Sequence, residues 1–322
     1  VGAVELHLGD EARPEPGPIA VLPEAEEFFV RAVESAGGTV APLSDATRGV
    51  VWLSNERAAE FAPILASHPG INWVQLPFAG VDAFHEALAV RHAERDIVWT
   101  SAKGAYAQPV AEHALALTLA ALRGLPERAR ATEWGGKYGR SLYGLNVVIV
   151  GAGGTALELV RLLEPFDVRV TIVRRRAEPV AGVAATVTSK GLTEALHDAD
   201  VLVLAAALSA ETERLIGARE LAKMKPEAVL VNIARGRMVD TDALISALRD
   251  GRLAGAGVDV TDPEPLPTGH PLWSAPNVII TPHSADTPEM VDPLLAERVA
   301  VNVRALLGHG PFVGAVDPAS GY

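Results

Sequence analysis

The chain has 322 residues, 49% hydrophobic and 21% charged, with a net charge of −12 and no cysteine. That length predicts two domains with sizeable cores. The acidic balance excludes a nucleic-acid partner, whose phosphate backbone the chain would repel, and the missing cysteines exclude disulfides, thiolate nucleophiles and Cys-ligated zinc. No apolar run reaches the ~18 residues of a membrane span, and Val1–Asp10 lacks the basic-then-apolar pattern of a signal peptide. The expectation is a soluble, cytoplasmic protein without a membrane partner.

In chain order, Val4–Leu8 reads as a strand and Glu24–Ser35 as a helix ended by Gly37-Gly38. Gly49–Leu53 and Asn72–Leu76 read as buried strands around a helix over Arg57–Ser67, and Ile97–Thr100 as a short last strand. Ala105–Arg123 then carries apolar residues all round, among them Ala111, Leu115, Leu119 and Leu122. A helix without a polar face must be buried, and a domain or subunit interface is the expected place, which points to a homodimer. Gly124–Tyr143 reads as a loop.

From Leu145 onward strand and helix alternate. The strands are Leu145–Val150, Val168–Val173, Val201–Ala205, Val229–Asn232, Gly255–Val260 and Val278–Ile280. The helices are Thr155–Glu164, Leu192–His197, Glu220–Met224 and Thr241–Asp250, with Glu289–Leu307 last; Thr261–Pro271, with its four prolines, is a loop. Continuous apolar strands separated by helices imply a parallel sheet covered on both faces. The predicted fold is α/β: a doubly wound Rossmann domain over residues 102–286, and a smaller flavodoxin-like α/β substrate domain made of residues 1–101 and 287–322. Hinges near Ser101–Gly104 and Ala285–Pro288 would let a cleft close on substrate.

The first Rossmann strand runs into Gly151-Ala152-Gly153-Gly154-Thr155-Ala156. This is G-x-G-x-x-A, in which one glycine makes the turn, the next admits the pyrophosphate and the small third residue packs the helix on the strand. The end of the second strand selects the cofactor. An NAD site places Asp or Glu there for the ribose 2′-hydroxyl. Here stand Arg174, Arg175 and Arg176, whose guanidinium groups suit a 2′-phosphate. NADP(H) is therefore the expected preference, with NAD(H) also possible.

Three chemistry-bearing residues follow late Rossmann elements, where α/β sites form. Arg235 follows Asn232-Ile233-Ala234, Glu264 lies in Asp262-Pro263-Glu264-Pro265-Leu266, and His283 ends Thr281-Pro282-His283. On these segments, with Gly257-Val258-Asp259-Val260 and the Gly151 turn, the chain resembles the D-isomer-specific 2-hydroxyacid dehydrogenase family. Trp52, the run Phe78-Ala79-Gly80-Val81-Asp82 and the arginine-rich strand end are most similar to its glyoxylate/hydroxypyruvate reductase branch.

The resemblance implies that the chain moves a hydride between NAD(P)H and a short 2-keto acid, giving the D-2-hydroxy acid. Arg235 would hold the substrate carboxylate with its planar fork. His283 would give the proton, an imidazole being the side chain suited to acid–base work at physiological pH, and Glu264 would hydrogen-bond and orient it. Thr155, Leu208, Ile233, Ala234 and Asp259 would line the cofactor. Backbone N–H groups at Ala79 and Gly80 could bind the substrate carboxylate. Trp52 reads equally as a pocket wall or a core aromatic. Asp286 stands where the family often has glycine. No histidine shows H-x-x-x-H or H-E-x-x-H spacing, so no metal is expected, and Glu112-His113 reads as structural. Two other readings share the scaffold: a dinucleotide-sensing, corepressor-like binding protein, and a dehydrogenase of another small acid.

Overall fold

The computed structural model describes residues 5–9, 12–90, 96–176 and 178–318. It divides into two compact units: Val1–Tyr106 with Pro288–Tyr322, and Ala107–Thr287. Part of Val1–Asp10, including Val4 at the start of the predicted first strand, lies outside the described residues.

The first unit opens with β1 (Glu5–Leu6), β2 (Ile19–Leu22), α1 (Glu27–Ser35), β3 (Gly49–Trp52), α2 (Phe61–Ser67), β4 (Trp73–Gln75), α3 (His85–Leu88) and β5 (Val98–Thr100). β2, β3, β4 and β5 form a parallel sheet in that order. Val40 adds a parallel bridge to Ile19 on the open side of β2. Counting that bridge as the second strand position, the order is 2-1-3-4-5, the flavodoxin-like winding. The sheet's first strand is thus Ile19–Leu22, not the predicted Val4–Leu8. Among the described residues of the latter only Glu5–Leu6 form a strand, and it pairs antiparallel outside the parallel sheet. Trp52, Phe61, Phe84 and Trp99 fill the core on one face, with Trp52 stacked on Phe61 at 4.5 Å between centroids.

The second unit begins with α4 (Ala107–Leu122) and α5 (Leu125–Arg130). It continues through β6 (Asn146–Val150), α6 (Gly154–Leu163), β7 (Arg169–Arg174), β8 (Ala185–Thr188), α7 (Leu192–His197), β9 (Val201–Leu204), α8 (Ala218–Leu221), β10 (Val229–Asn232), α9 (Thr241–Arg249), β11 (Gly255–Val258) and β12 (Val278–Ile280). All seven strands are parallel, in the order β12-β11-β10-β9-β6-β7-β8. The winding reverses between β6 and β9, and doubly wound sheets bind ligands outside the strand ends at such a reversal. α9 starts where Asp240 caps it, its carboxylate accepting the Ala243 N–H at 3.0 Å, and ends before Gly251 at φ +67°.

One face of α4 is buried on the unit's own sheet. Ala111, Ala114, Leu117 and Ala121 pack with Val147, Ile149, Val203 and Val231 on the unit's own sheet, beside Leu159 of α6. A side chain at Gly257 would press on Leu117, so helix and strand approach closely there. The predicted loop after α4 contains α5, which opens from Gly124 in a left-handed conformation.

The chain then returns to the first unit through α10 (Pro288–Leu306) and β13 (Phe312–Val313), the partner of β1. Asn302 of α10 is fully buried and donates to Gln75 Oε1 at 2.7 Å, tying the returning helix to β4. Among the described residues no helix is long and apolar enough to cross a membrane.

Candidate active site

β6 ends in the glycine turn. Gly151 holds φ +115°, and a side chain there would collide with the carbonyl oxygen of Ala205, at the end of β9. The turn can therefore cross the switch point only as glycine. A Cβ on Gly153 would meet nothing within 4 Å, which leaves open space in front of the α6 N-terminus. Ala156 is fully buried, as helix–strand packing at that place requires. Room at Gly153 and a helix N-terminus behind it fit a pyrophosphate.

Arg174 ends β7, and its neighbourhood holds an acid the sequence reading did not include. Glu178 Oε2 lies 3.4 Å from Arg174 Nη2, and Glu178 Oε1 lies 3.7 Å from Arg176 Nε. Arg175 and Arg176 are exposed. The cluster thus carries an internal carboxylate that a 2′-phosphate would have to displace.

On the other side of the switch point three strand ends line up. Asn232 pairs in register with Val258, and Val258 with Ile280; neighbouring strands lie about 4.8 Å apart. Arg235 and His283 each stand three residues beyond this row, and Asp259 one residue beyond it. Asn232, 1% exposed, shapes the first exit: its Oδ1 accepts the Ala234 N–H at 3.1 Å and its Nδ2 donates to the Arg235 carbonyl at 2.9 Å. Gly236 follows, where a side chain would collide with the Thr261 carbonyl. That contact sets the Arg235 turn against the loop bearing Glu264.

Glu264 works in two directions. Its Oε2 accepts the Thr261 N–H at 3.2 Å, and its Oε1 lies 2.7 Å from His283 Nδ1. The imidazole is thereby held by Nδ1, leaving Nε2 as the outward nitrogen. His283 itself sits at φ +50°, a left-handed conformation uncommon outside glycine. Asp259 enforces it. The Asp259 carbonyl accepts the His283 N–H at 2.8 Å, and its carboxylate accepts those of Ser284 at 2.9 Å and Ala285 at 3.2 Å. Burial opposes the charge of Asp259, which is 2% exposed, but hydrogen bonds from His113, Thr281 and the Ser284 N–H hold its carboxyl below the usual range. Asp286, in the same loop, is pushed upward by burial, against the pull of His283 and Arg235.

The remaining cofactor candidates border the same end of the sheet. Ile233 and Leu208 are half-buried and Ala234 is buried; Thr155 is half-buried in the first turn of α6. In the other unit, Ala79 and Gly80 follow β4, with Ala79 exposed. Their backbone N–H groups make no hydrogen bond among the described residues, so they are available to an anion. Trp52 is fully buried and its indole N–H donates to the Ser54 carbonyl at 2.5 Å. Of its two sequence readings the core aromatic is the one the structure bears out, because a side chain with no exposed surface cannot wall a pocket.

A family model for the D-isomer specific 2-hydroxyacid dehydrogenase NAD binding domain matches residues 115–285. A glyoxylate reductase of Thermococcus gammatolerans is 38% identical over 303 residues, covering 89% of this chain and 86% of the relative. The chain belongs to the D-isomer-specific 2-hydroxyacid dehydrogenase family. Among solved structures, a dehydrogenase of this family from Xanthobacter autotrophicus in complex with NADPH superposes with a TM-score of 0.80 at 26% identity, covering 95% of this chain and all of that one. An NADPH-dependent glyoxylate/hydroxypyruvate reductase from Sinorhizobium meliloti gives 0.73 at 25% identity, covering 95% and 98%. This dehydrogenase is accordingly a nicotinamide-dinucleotide oxidoreductase acting on the CH–OH group of 2-hydroxy acids.

Proposed function

We propose that this dehydrogenase works as an NADPH-dependent reductase of glyoxylate, hydroxypyruvate or a similarly short 2-keto acid. The observation that carries the reading is the Glu264–His283 pair at 2.7 Å, set beside Arg235 at three aligned strand ends. The names of the Thermococcus and Sinorhizobium relatives support the substrate class. The arginines at Arg174–Arg176, and the NADPH bound in the Xanthobacter structure, support the cofactor.

The reduced nicotinamide, when bound, supplies the hydride that reaches the keto carbon. Arg235 holds the substrate carboxylate through its planar guanidinium. His283 gives the proton on Nε2 to the carbonyl oxygen as that carbon is reduced. Glu264 accepts from Nδ1–H and keeps the ring turned so that Nε2 carries the transferable proton. One keto acid, one hydride and one proton give one hydroxy acid, and His283 regains its proton from solvent.

A homodimer belongs to the same reading. Beside the apolar face of α4, the segment behind that helix supports it. Leu125, Tyr138 and Tyr143 are exposed there, and Trp134 is 98% exposed. Light scattering of the purified chain tests this: a monomer at micromolar concentration overturns it.

The activity is tested by following NADPH and NADH absorbance separately with glyoxylate, hydroxypyruvate and pyruvate, for wild type and His283→Ala. NADPH oxidation well ahead of NADH, cut to a small residual rate in the variant, is the expected result. Turnover that survives the substitution undiminished would remove His283 as the proton donor.

A further inference from the structure

We propose that His113, on α4, is a positioning residue for the reduction, acting through Thr281 and Asp259 on the loop that carries His283. The proposal rests on His283 being the proton donor.

The starting point is a residue out of place. α4 packs small and apolar side chains on the sheet, yet His113 is only 22% exposed in the side chain and points its Nε2 at two polar groups. Nε2 lies 2.9 Å from Thr281 Oγ1 and 3.4 Å from Asp259 Oδ1, across a sequence separation of 168 residues to Thr281.

Counting protons fixes the direction of these bonds. The Thr281 hydroxyl has one hydrogen, and Asp259 Oδ1, 2.6 Å away, can only accept it while ionised. Thr281 Oγ1 must then accept from His113, so His113 carries its proton on Nε2 whether the ring is neutral or charged. The chain of donation runs from His113 to Thr281 to Asp259.

Its end point is the catalytic loop. Asp259 takes the N–H groups of three consecutive residues, His283 by its carbonyl and Ser284 and Ala285 by its carboxylate. These bonds oppose the strain of the left-handed His283 backbone. A carboxylate with 2% exposure keeps its charge and orientation only while its donors are in place. Removing His113 leaves Thr281 free to turn and Asp259 short of a partner, and the loop loses the anchor that aims His283.

The test is a double-mutant cycle on the full-length protein, with glyoxylate and NADPH as probes. His113→Ala is expected to lower kcat about tenfold, with the KM for NADPH changed less than about twofold. In a His283→Ala background the same substitution should change kcat by less than about twofold, because there is no donor left to aim. His113→Gln should recover most of the loss, since its amide N–H can donate to Thr281. Thr281→Val, which keeps the shape and removes the relay, should repeat the loss and stands in if His113→Ala does not fold. Equal losses in both backgrounds would overturn the proposal and make His113 an ordinary packing residue. So would full activity in both His113→Ala and Thr281→Val while His283→Ala is impaired. Full activity in His283→Ala would instead remove the donor assignment, and with it the premise.

Discussion

Glu264 and His283, nineteen residues apart in sequence, meet at 2.7 Å while both stay about two-fifths exposed, at 41% and 44% of the side chain. An exposed ion pair contributes little to stability, about 0–1 kcal/mol, so the contact matters for orientation instead. Glu264→Gln keeps the shape but removes the carboxylate that accepts from Nδ1–H; its amide N–H can instead donate to Nδ1, which leaves a neutral ring that gives up its Nε2 proton poorly. The expected outcome is a kcat lower by roughly 10²-fold with little change in melting temperature. Steady-state kinetics beside a thermal melt check this, and a parallel fall in both would show a structural role.

The arginine cluster gives a prediction of two signs. Arg174→Ala and Arg175→Ala should each raise the KM for NADPH about tenfold and leave that for NADH nearly unchanged, since only NADPH has the 2′-phosphate. Glu178→Gln should do the reverse, lowering the KM for NADPH about threefold by removing the carboxylate that contacts Arg174 and Arg176. Measuring both cofactors on each variant separates a phosphate effect from a general loss of folding. Equal changes for NADPH and NADH would reduce the arginines to surface charge.

The Rossmann half is legible in the sequence because its strands are unbroken apolar runs bounded by glycine, as at Val147–Gly151 and Gly255–Val258. Where that contrast fades, the reading fades too. Ile19–Leu22 sits behind Pro14, Pro16 and Pro18, which mask a four-residue strand that is nevertheless buried. β8, an edge strand with exposed and half-buried Ala185–Thr188, has too few apolar residues to stand out. In the site, Arg235, Glu264 and His283 are legible as motif residues, and so is the pairing of Glu264 with His283, to which the structure adds the atoms: Oε1 to Nδ1 at 2.7 Å. The relation of His113 to Thr281 is not legible, because it joins a helix at the front of the unit to a loop at its end. Glu178 is hidden for a different reason: a surface carboxylate gains meaning only beside particular arginines.

The amino ends of the central strands, opposite the ends that carry Arg235 and His283, offer a control that should leave catalysis alone. Asp200, 4% exposed, lies just before β9. It accepts from Arg140 Nη2 at 2.9 Å, Lys225 Nζ at 3.1 Å and the Asn146 N–H at 2.9 Å. Burial disfavours its charge, but these three donors outweigh it and its carboxyl is held below the usual value. A depressed folded value means that the stabilisation is present above the unfolded value of about 3.9 and is lost as pH falls through the folded one. Asp200→Asn should cost about 3 kcal/mol at neutral pH, read by urea denaturation. The penalty should shrink as the pH is taken below about 4. kcat at a temperature well below melting should stay unchanged.

Asp286 runs the other way. Burial raises its carboxyl, Asp259 adds to the rise, and His283 and Arg235 only partly offset it. For a group raised on folding, the contribution to stability is full below the unfolded value, about 3.9, and is lost as pH climbs through the folded one. The ionised residue therefore burdens the native state at neutral pH. Asp286→Asn should melt roughly 2 °C higher at pH 7, and the gap should close as the pH is lowered towards about 4. The same charge lies within electrostatic reach of the two residues assigned to the substrate, and a 2-keto acid arrives as an anion. Removing it should lower the KM for glyoxylate by about threefold, and more for a dianionic keto acid, where the repulsion counts twice. A KM that does not move, beside a melting temperature that does, would confine Asp286 to the stability of the loop and place its carboxylate away from the substrate.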